Sequence, residues 1–383
     1  MLLRPHAFVP GPEDDAIHDP TLDRIRRGSR KVVAAIIVRD AHDTIGRAVA
    51  SVRPWVEEVH VLDTGSSDNT PAEAHQHGAL VSAFAWCEDF AAARNACLAN
   101  ASGDWHFVLD ADEWLIDGGP YLRELSRHSP DFVGAVELED HHGPQHSQRS
   151  THWLSRLLPG HVRYEGCVHE QPVHALPVRR VPLKLGHDGY TEKALQRKRG
   201  RNRRLLQKAL QTQPDDAYLL YQLGKDEAVY EEHRLASGHL MQACTKAADE
   251  ADWRPDLVAR CLYSLKCVGD HAQAAALASR EIDKAGQTLC TQSPDVFFAL
   301  GDVMLDWAVQ APGRAAELLD QAEQAWSLCL ELGERPDITG SVRGRGSHLA
   351  AHNLALVYEG TGRQAQAQQI RERFGLQAPV PPG

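Results

Sequence analysis

The chain has 383 residues, 43% hydrophobic and 24% charged, with a formal net charge of −11 at pH 7. That length suits two or three globular domains, and the acidic balance excludes a general binder of nucleic acid or anionic membrane, whose affinity rests on massed Lys and Arg. No apolar run of about 18 residues occurs, so no transmembrane helix is expected, and MLLRPHAFVPGPEDD at the start lacks the apolar core of a secretory signal.

The eight cysteines include no C-x-x-C pair, and no H-E-x-x-H motif occurs among the 21 histidines. Cys244, Cys261, Cys267 and Cys329 fall within helical apolar patterns, which points to reduced thiols in a cytoplasmic protein.

Residues 1–30 are rich in Pro, Asp and Arg without periodicity and read as a loose arm. Lys31 to Val38 (KVVAAIIV) is a near-continuous β-branched run, the mark of a strand buried on both faces of a parallel sheet. Asp43 is placed to cap a helix from Thr44 to Arg53. Glu58 to Leu62 is a second strand, ending in DTGSSDNT, Asp63 to Thr70, a loop of turn formers and hydroxyls. A helix over 71–77, a short strand over 80–84 and a helix over 90–101 follow. His106 to Leu109 then runs into the acidic cluster Asp110-Ala111-Asp112-Glu113. Strand and helix alternate from 32 to 110, so the domain is α/β of the doubly wound, nucleotide-binding kind. Its ligand crevice lies at the C-terminal strand edges, where Asp63, Asp110 and Asp112 fall. Two carboxylates one residue apart can hold a hard cation such as Mg²⁺ or Mn²⁺, or can simply close a solvated turn. Asp63 can accept from a nucleoside or shape its own loop as an Asx turn.

Residues 131–190 read as an α+β addition to the sheet, with strands at 132–138, 153–158, 162–164 and 181–185. From Thr191 the chain reads as helical to its end. A basic amphipathic helix over 193–211 leads into degenerate helix pairs, opened by Tyr218 to Gly224, Leu257 to Leu265, Val296 to Gly301 and His348 to Leu356. Alanine-rich second helices, as at 272–278 and 315–325, complete a tetratricopeptide-like repeat pattern. The division is an arm to 30, an α/β domain over 31–190, all-α repeats over 191–376 and a flexible tail over 377–383.

In order, the apolar first strand, DTGSSDNT (63–70), FAAARN (90–95) and GDWHFVLDADE (103–113) resemble the inverting family 2 glycosyltransferases of type A fold. RLLPGHVRYEGCVHE (156–170) and LGHDGY (185–190) resemble a subgroup in which tetratricopeptide repeats follow that domain. The resemblance implies a nucleotide-sugar donor, a UDP-sugar by default, with Mn²⁺ or Mg²⁺ as cofactor. It implies that Arg39, Asp63, Arg94 and Asp110 contact the donor, and that Asp112, Asp110 and His187 hold the metal. Glu170 is the candidate general base, with Glu113, Glu137, Glu139, Asp140 and Glu165 as rivals. Each also has a structural reading. Glu170 can sit in an ion pair, Arg94 can brace a carboxylate, and His187 can bond backbone; Asn95 is expected to cap or pack locally.

One departure touches the donor side. Relatives end the first strand in Lys-Asn-Glu, and here it ends in Arg39-Asp40-Ala41. The implied function is glycosyl transfer to a peptide, protein or cell-envelope glycan, with the repeats offering a concave face for the acceptor or for a homodimer. The competing reading is a non-catalytic scaffold built on a decayed transferase domain. Nucleotidyl transfer ranks third, because no Gly-rich basic loop follows the first strand.

Overall fold

The computed structural model describes residues 29–142, 148–187, 200–283 and 288–376. The expected arm up to residue 28, Asp188-Gly189-Tyr190, the start of the basic helix at 193–199 and the tail from 377 lie outside the described residues.

β1 (Val32–Val38) pairs in parallel with β2 (Glu58–Asp63) on one side and β4 (Trp105–Asp110) on the other. β3 (Leu80–Ala83) pairs in parallel with β2. Helices α1 (His42–Val52), α2 (Thr70–Gln76) and α3 (Phe90–Ala101) make the crossovers. Alternate β1 residues enter two different cores. Val32, Ala34, Ile36 and Val38 pack with Ile45, Ala48, Val49 and Val52 of α1, whereas Ala35 packs with Ala93, Cys97 and Leu98 of α3. Burial on both faces is why the strand is apolar throughout.

The chain moves outward from β1 through β2 to β3, then crosses back to β4. The order therefore reverses at β1, and a crevice opens at its C-terminal edge. The register puts Asp63 beside Val38 and Asp110 beside Ile37, so both carboxylates flank that crevice.

Antiparallel pairing extends the sheet beyond β4 through β7 (Gln148–Pro159) and β6 (Val133–His142); β10 (Val178–His187) then pairs in parallel with β6. β5 (Glu113–Asp117), a strand that the sequence pattern does not flag, closes the far side against β10. A separate ribbon joins β8 (Arg163–Glu165) to β9 (Gln171–Val173). The α1 cap differs from expectation. The amides of Thr44 and Ile45 both bond to the carbonyl of Ala41, at 3.0 Å each, so Ala41 is the N-cap and Asp43 sits in the first turn. There it still complements the positive end of the helix dipole.

Beyond the sheet, α5 (Arg201–Thr212) leads into four helix pairs: α6 (Ala217–Val229) with α7 (His233–Lys246), α8 (Arg254–Cys267) with α9 (His271–Ile282), α10 (Pro294–Gln310) with α11 (Ala315–Leu332), and α12 (His348–Gly360) with α13 (Gln364–Phe374). Two Leu-Gly steps mark where paired helices cross most closely. A Cβ on Gly224 would stand 2.6 Å from Cγ of Leu240, and one on Gly301 would stand 2.5 Å from Nε1 of Trp326. Only glycine lets those helices approach so near.

The expectation of helix to the end needs one correction. β11 (Ser341–Val342), between α11 and α12, pairs antiparallel with Thr151 and Ser150 of β7. Residues 333–347 carry four glycines and Pro336, which oppose a helix, and their backbone finds partners in the sheet instead. At the other end, Leu205 and Leu206 of α5 pack with Val168, Trp86 and Phe90, and Arg204 pairs with Glu88 at 2.6 Å. The repeats are thus tied to the α/β domain at two places.

Candidate active site

The loops after β1 and β2 are knitted together. Asp63 accepts from the Gly65 amide at 3.2 Å, the Ser66 amide at 3.1 Å and the Ser66 hydroxyl at 2.5 Å. The Asp40 amide donates to Ser66 Oγ at 2.9 Å, and Asp40 Oδ1 accepts from the Ser67 amide at 2.7 Å. Asp40 is in the left-handed region at φ 49°, a strained backbone that this mesh of bonds holds in place. Asp63 therefore shapes its loop as an Asx turn while standing at the crevice wall.

Opposite it, α3 and the extended sheet deliver a chain of charges, buried except at Asp110, whose side chain is 35% exposed. Arg94 donates through Nη2 to Asp110 Oδ1 at 2.7 Å and through Nε to Glu170. Arg156 donates to Asp110 Oδ2 at 2.7 Å and to Glu113 Oε1 at 2.8 Å. The other Glu113 oxygen accepts from the Asp110 amide at 2.9 Å. Burial pushes the Asp110 carboxyl up, but the guanidiniums of Arg156 and Arg94 outweigh it and hold Asp110 well below the usual carboxylate range. Glu113 behaves in the opposite way. Burial, together with the nearby charge of Asp110, pushes it up to about 7 against the pull of Arg156.

Both oxygens of Asp110 are thus taken by guanidiniums, and both oxygens of Glu113 are taken too. Glu170 uses Oε1 for Arg94, and Oε2 makes no hydrogen bond among the described residues. Asn95 reaches further than expected: it clamps Tyr164 of β8, donating to its carbonyl at 2.9 Å and accepting from its amide at 2.8 Å. That clamp sets the segment running to Glu170 against α3.

A second cluster lies where β5 and β10 meet, with His187 in register with Glu113. His187 Nε2 stands 3.4 Å from Asp112 Oδ2, and its Nδ1 bonds Asp140 Oδ1 at 2.6 Å. Behind them, His152 Nε2 lies 3.0 Å from Asp140 Oδ2. Burial lowers the His187 imidazole, but Asp112 and Asp140 outweigh it and push it up to about 10. Burial also raises the Asp140 carboxyl, and its bonds to His152 and His187 bring it far below the usual range.

The donor set fits a divalent ion. A carboxylate oxygen and an imidazole nitrogen face each other at the spacing of two ligands on one centre, and a carboxylate holds the other ring nitrogen, the usual support for a metal-binding His. Among the described residues no group of three or more His, Cys, Asp or Glu is arranged to hold a metal. Two protein ligands are what Mg²⁺-type sites show when substrate phosphates complete the shell.

The geometry therefore gathers Arg94, Asp110 and Glu170 into one network and Asp112 and His187 into another. Asp63 and Arg39 line the facing wall. Arg156 and Tyr164 were missed by sequence reasoning, and Asp140, named there as a rival base, instead holds His187. Arg156 carried one signal, a lone cation among Leu154, Leu157 and Leu158 in a buried strand, which demands a buried anion.

Residues 34–165 match the family described as glycosyl transferase family 2. The α/β unit is a family 2 glycosyl transferase domain. A TPR repeat-containing protein of Synechococcus elongatus is 36% identical over 212 residues, covering 51% of each chain. The SPbeta prophage-derived glycosyltransferase SunS of Bacillus subtilis is 27% identical over 251 residues, 61% of this chain and 59% of that protein. The chain thus spans between half and three-fifths of the length of these relatives. The crystal structure of MamA is similar over 48% of this chain and 92% of its own, at TM-score 0.35 and 18% identity. The family 2 domain is followed by four helix pairs, and among the described residues no helix is long and apolar enough to cross a membrane.

Proposed function

We propose that the protein is a metal-dependent, inverting glycosyltransferase that moves a sugar from a nucleotide-sugar, a UDP-sugar by resemblance, to a peptide, protein or glycan acceptor. The observation that carries this reading is the facing pair Asp112 and His187, backed by Asp140, at the C-terminal edge of a nucleotide-type sheet. Asp112 and His187 would hold Mn²⁺ or Mg²⁺, which when bound neutralises charge on the leaving diphosphate.

The chain's own residues carry the rest. Asp63 and the loop after β1 form the nucleoside wall. Arg94 and Arg156 fix Asp110 on the opposite wall. Glu170, positioned by Arg94, takes the acceptor proton at Oε2 as the acceptor oxygen or sulfur bonds the anomeric carbon and the nucleoside diphosphate departs from the other face. The acceptor approaches from the repeats, because Gln171, next to Glu170, donates to the Tyr218 hydroxyl of α6 at 3.0 Å. That contact favours a peptide or protein acceptor laid along the repeat face.

Thermal shift with UDP, GDP, CDP and their sugars, each with Mn²⁺, Mg²⁺ or EDTA, tests the proposal. A ligand at about 100 times its Kd adds about 2.7 kcal/mol to the folded state. Stabilisation by one nucleotide class, dependent on the metal and lost in Asp112→Ala with the fold intact, is expected. Failure of every nucleotide to stabilise the protein overturns the reading, and unchanged metal-dependent binding in Asp112→Ala removes Asp112 from the site.

A further inference from the structure

Inside the site, charges are matched. Arg94 and Arg156 answer Asp110, Glu113 and Glu170, and the imidazoles of His152 and His187 face Asp140 and Asp112. Among the described residues, the guanidiniums of Arg39 and Arg201 lie outside these networks. Arg39 follows β1, is half exposed, and has as its nearest carboxylate oxygen Asp40 Oδ2 at 3.8 Å. Arg201 opens α5, the first described helix after β10. Its guanidinium lies 5.2 Å from the ring centre of Phe90, the residue that begins α3 one turn before Arg94. Its only hydrogen bond among the described residues is from Nε to Asn202 Oδ1 at 3.2 Å.

The docking of α5 fixes this placement. Leu205 and Leu206, one turn on, are fully buried against Val168, Phe90 and Trp86, and Arg204 pairs with Glu88. Arg201, itself exposed, is thereby within electrostatic reach of Arg39, Asp110 and Asp112. Arg39 and Arg201 come from separate units and carry like charge, so an anion that both can reach is favoured beside them. Each offers a planar fork that suits phosphate oxygens.

We infer that Arg201, with Arg39, binds the diphosphate of the nucleotide donor, so that the helix joining the repeats to the transferase domain supplies part of the donor site. This rests on the donor reading above. The transferase domain and the repeats are then one binding unit, and the basic residue after β1, where the sequence departs from its relatives, gains its partner from α5.

The test uses the full chain and titrates UDP and UMP, with Mn²⁺ present, into wild type, Arg201→Ala, Arg201→Lys and Arg39→Ala; GDP with GMP, and CDP with CMP, are run in parallel. A charge-assisted bond is worth about 1.5–3 kcal/mol, so Arg201→Ala should weaken the diphosphate by roughly 10- to 100-fold. The monophosphate should change by less than about threefold. Arg201→Lys, which keeps the charge and loses the fork, should fall between wild type and Arg201→Ala. Arg204→Ala, on the same helix and facing Glu88, serves as the docking control and should leave diphosphate affinity unchanged. Diphosphate affinity within twofold of wild type in Arg201→Ala, or equal loss for diphosphate and monophosphate, overturns the inference while the donor reading stands. A wild-type chain that binds none of the three diphosphates overturns both.

Discussion

Replacing Arg156 by Met tests whether the buried charges are a single network. Among the described residues Arg156 is the only cation hydrogen-bonded to Glu113, whose side chain is 2% exposed, whereas Asp110 keeps Arg94. Breaking a buried pair by removing one partner costs about 3–5 kcal/mol, because a charge is left uncompensated. Glu113 can escape part of that cost by taking a proton, since its carboxyl already sits at about 7 with Arg156 in place. A carboxyl raised in the folded state gives stability at low pH that is lost as pH rises through the folded value. The deficit of Arg156→Met should therefore be about 3 kcal/mol or more at pH 8 and clearly smaller at pH 5. Adding Glu113→Gln should restore about 1–3 kcal/mol at pH 8, the coupling expected of residues in one network. Native-state hydrogen exchange at the amides of Phe107, Val108 and Leu109 reads opening of this sheet separately from the repeats. A deficit that is below about 1 kcal/mol at pH 8, or that does not vary between pH 5 and 8, refutes the network argument.

Glu170→Gln keeps an acceptor for Arg94 but cannot take a proton, so turnover should fall by roughly 100- to 10,000-fold with nucleotide affinity unchanged; a variant retaining more than a tenth of wild-type turnover places the base elsewhere. At the opposite end of the sheet, His106 is 1% exposed and accepts from the Gly103 amide through Nε2 at 3.1 Å. Burial, with the charges of Arg163 and Lys31, brings its imidazole down to about 4. An unfolded chain binds that proton from about pH 6.5, so wild type should lose roughly 3 kcal/mol as pH falls from 6.5 to 4. His106→Gln should flatten that slope in urea titrations, and an identical slope in the variant would show that His106 is not its source.

Periodicity made the parallel sheet legible: a strand buried on both faces has to be apolar throughout, and β1 is. The same logic located Asp63 and Asp110 at strand ends. Pairing across the chain was not legible. Nothing local to Arg156 names Glu113, and nothing local to His187 names Asp140; strand pairing brings each together. The His187 assignment came from family likeness, not from pattern. β5 and β11 are too short to show a period of two. Ala41 displaced Asp43 as cap because Thr70 and Asp68, from the neighbouring loop, take up the amides of Ala41 and His42 at 2.8 and 3.4 Å.

β11 has a bearing on how this architecture can change over time. A free solenoid lengthens or shortens by whole units, since each contacts only its neighbours. Here α5 is fastened beside Phe90 and β11 is fastened to β7, with Trp153 Nε1 donating to the Pro336 carbonyl at 2.8 Å. Between the two fastenings stand three helix pairs, α6 to α11. Inserting or deleting a pair there would pull β11 from its slot or drag α5 off the transferase domain. Duplication between the anchors is therefore selected against, and the array can vary in number only beyond β11.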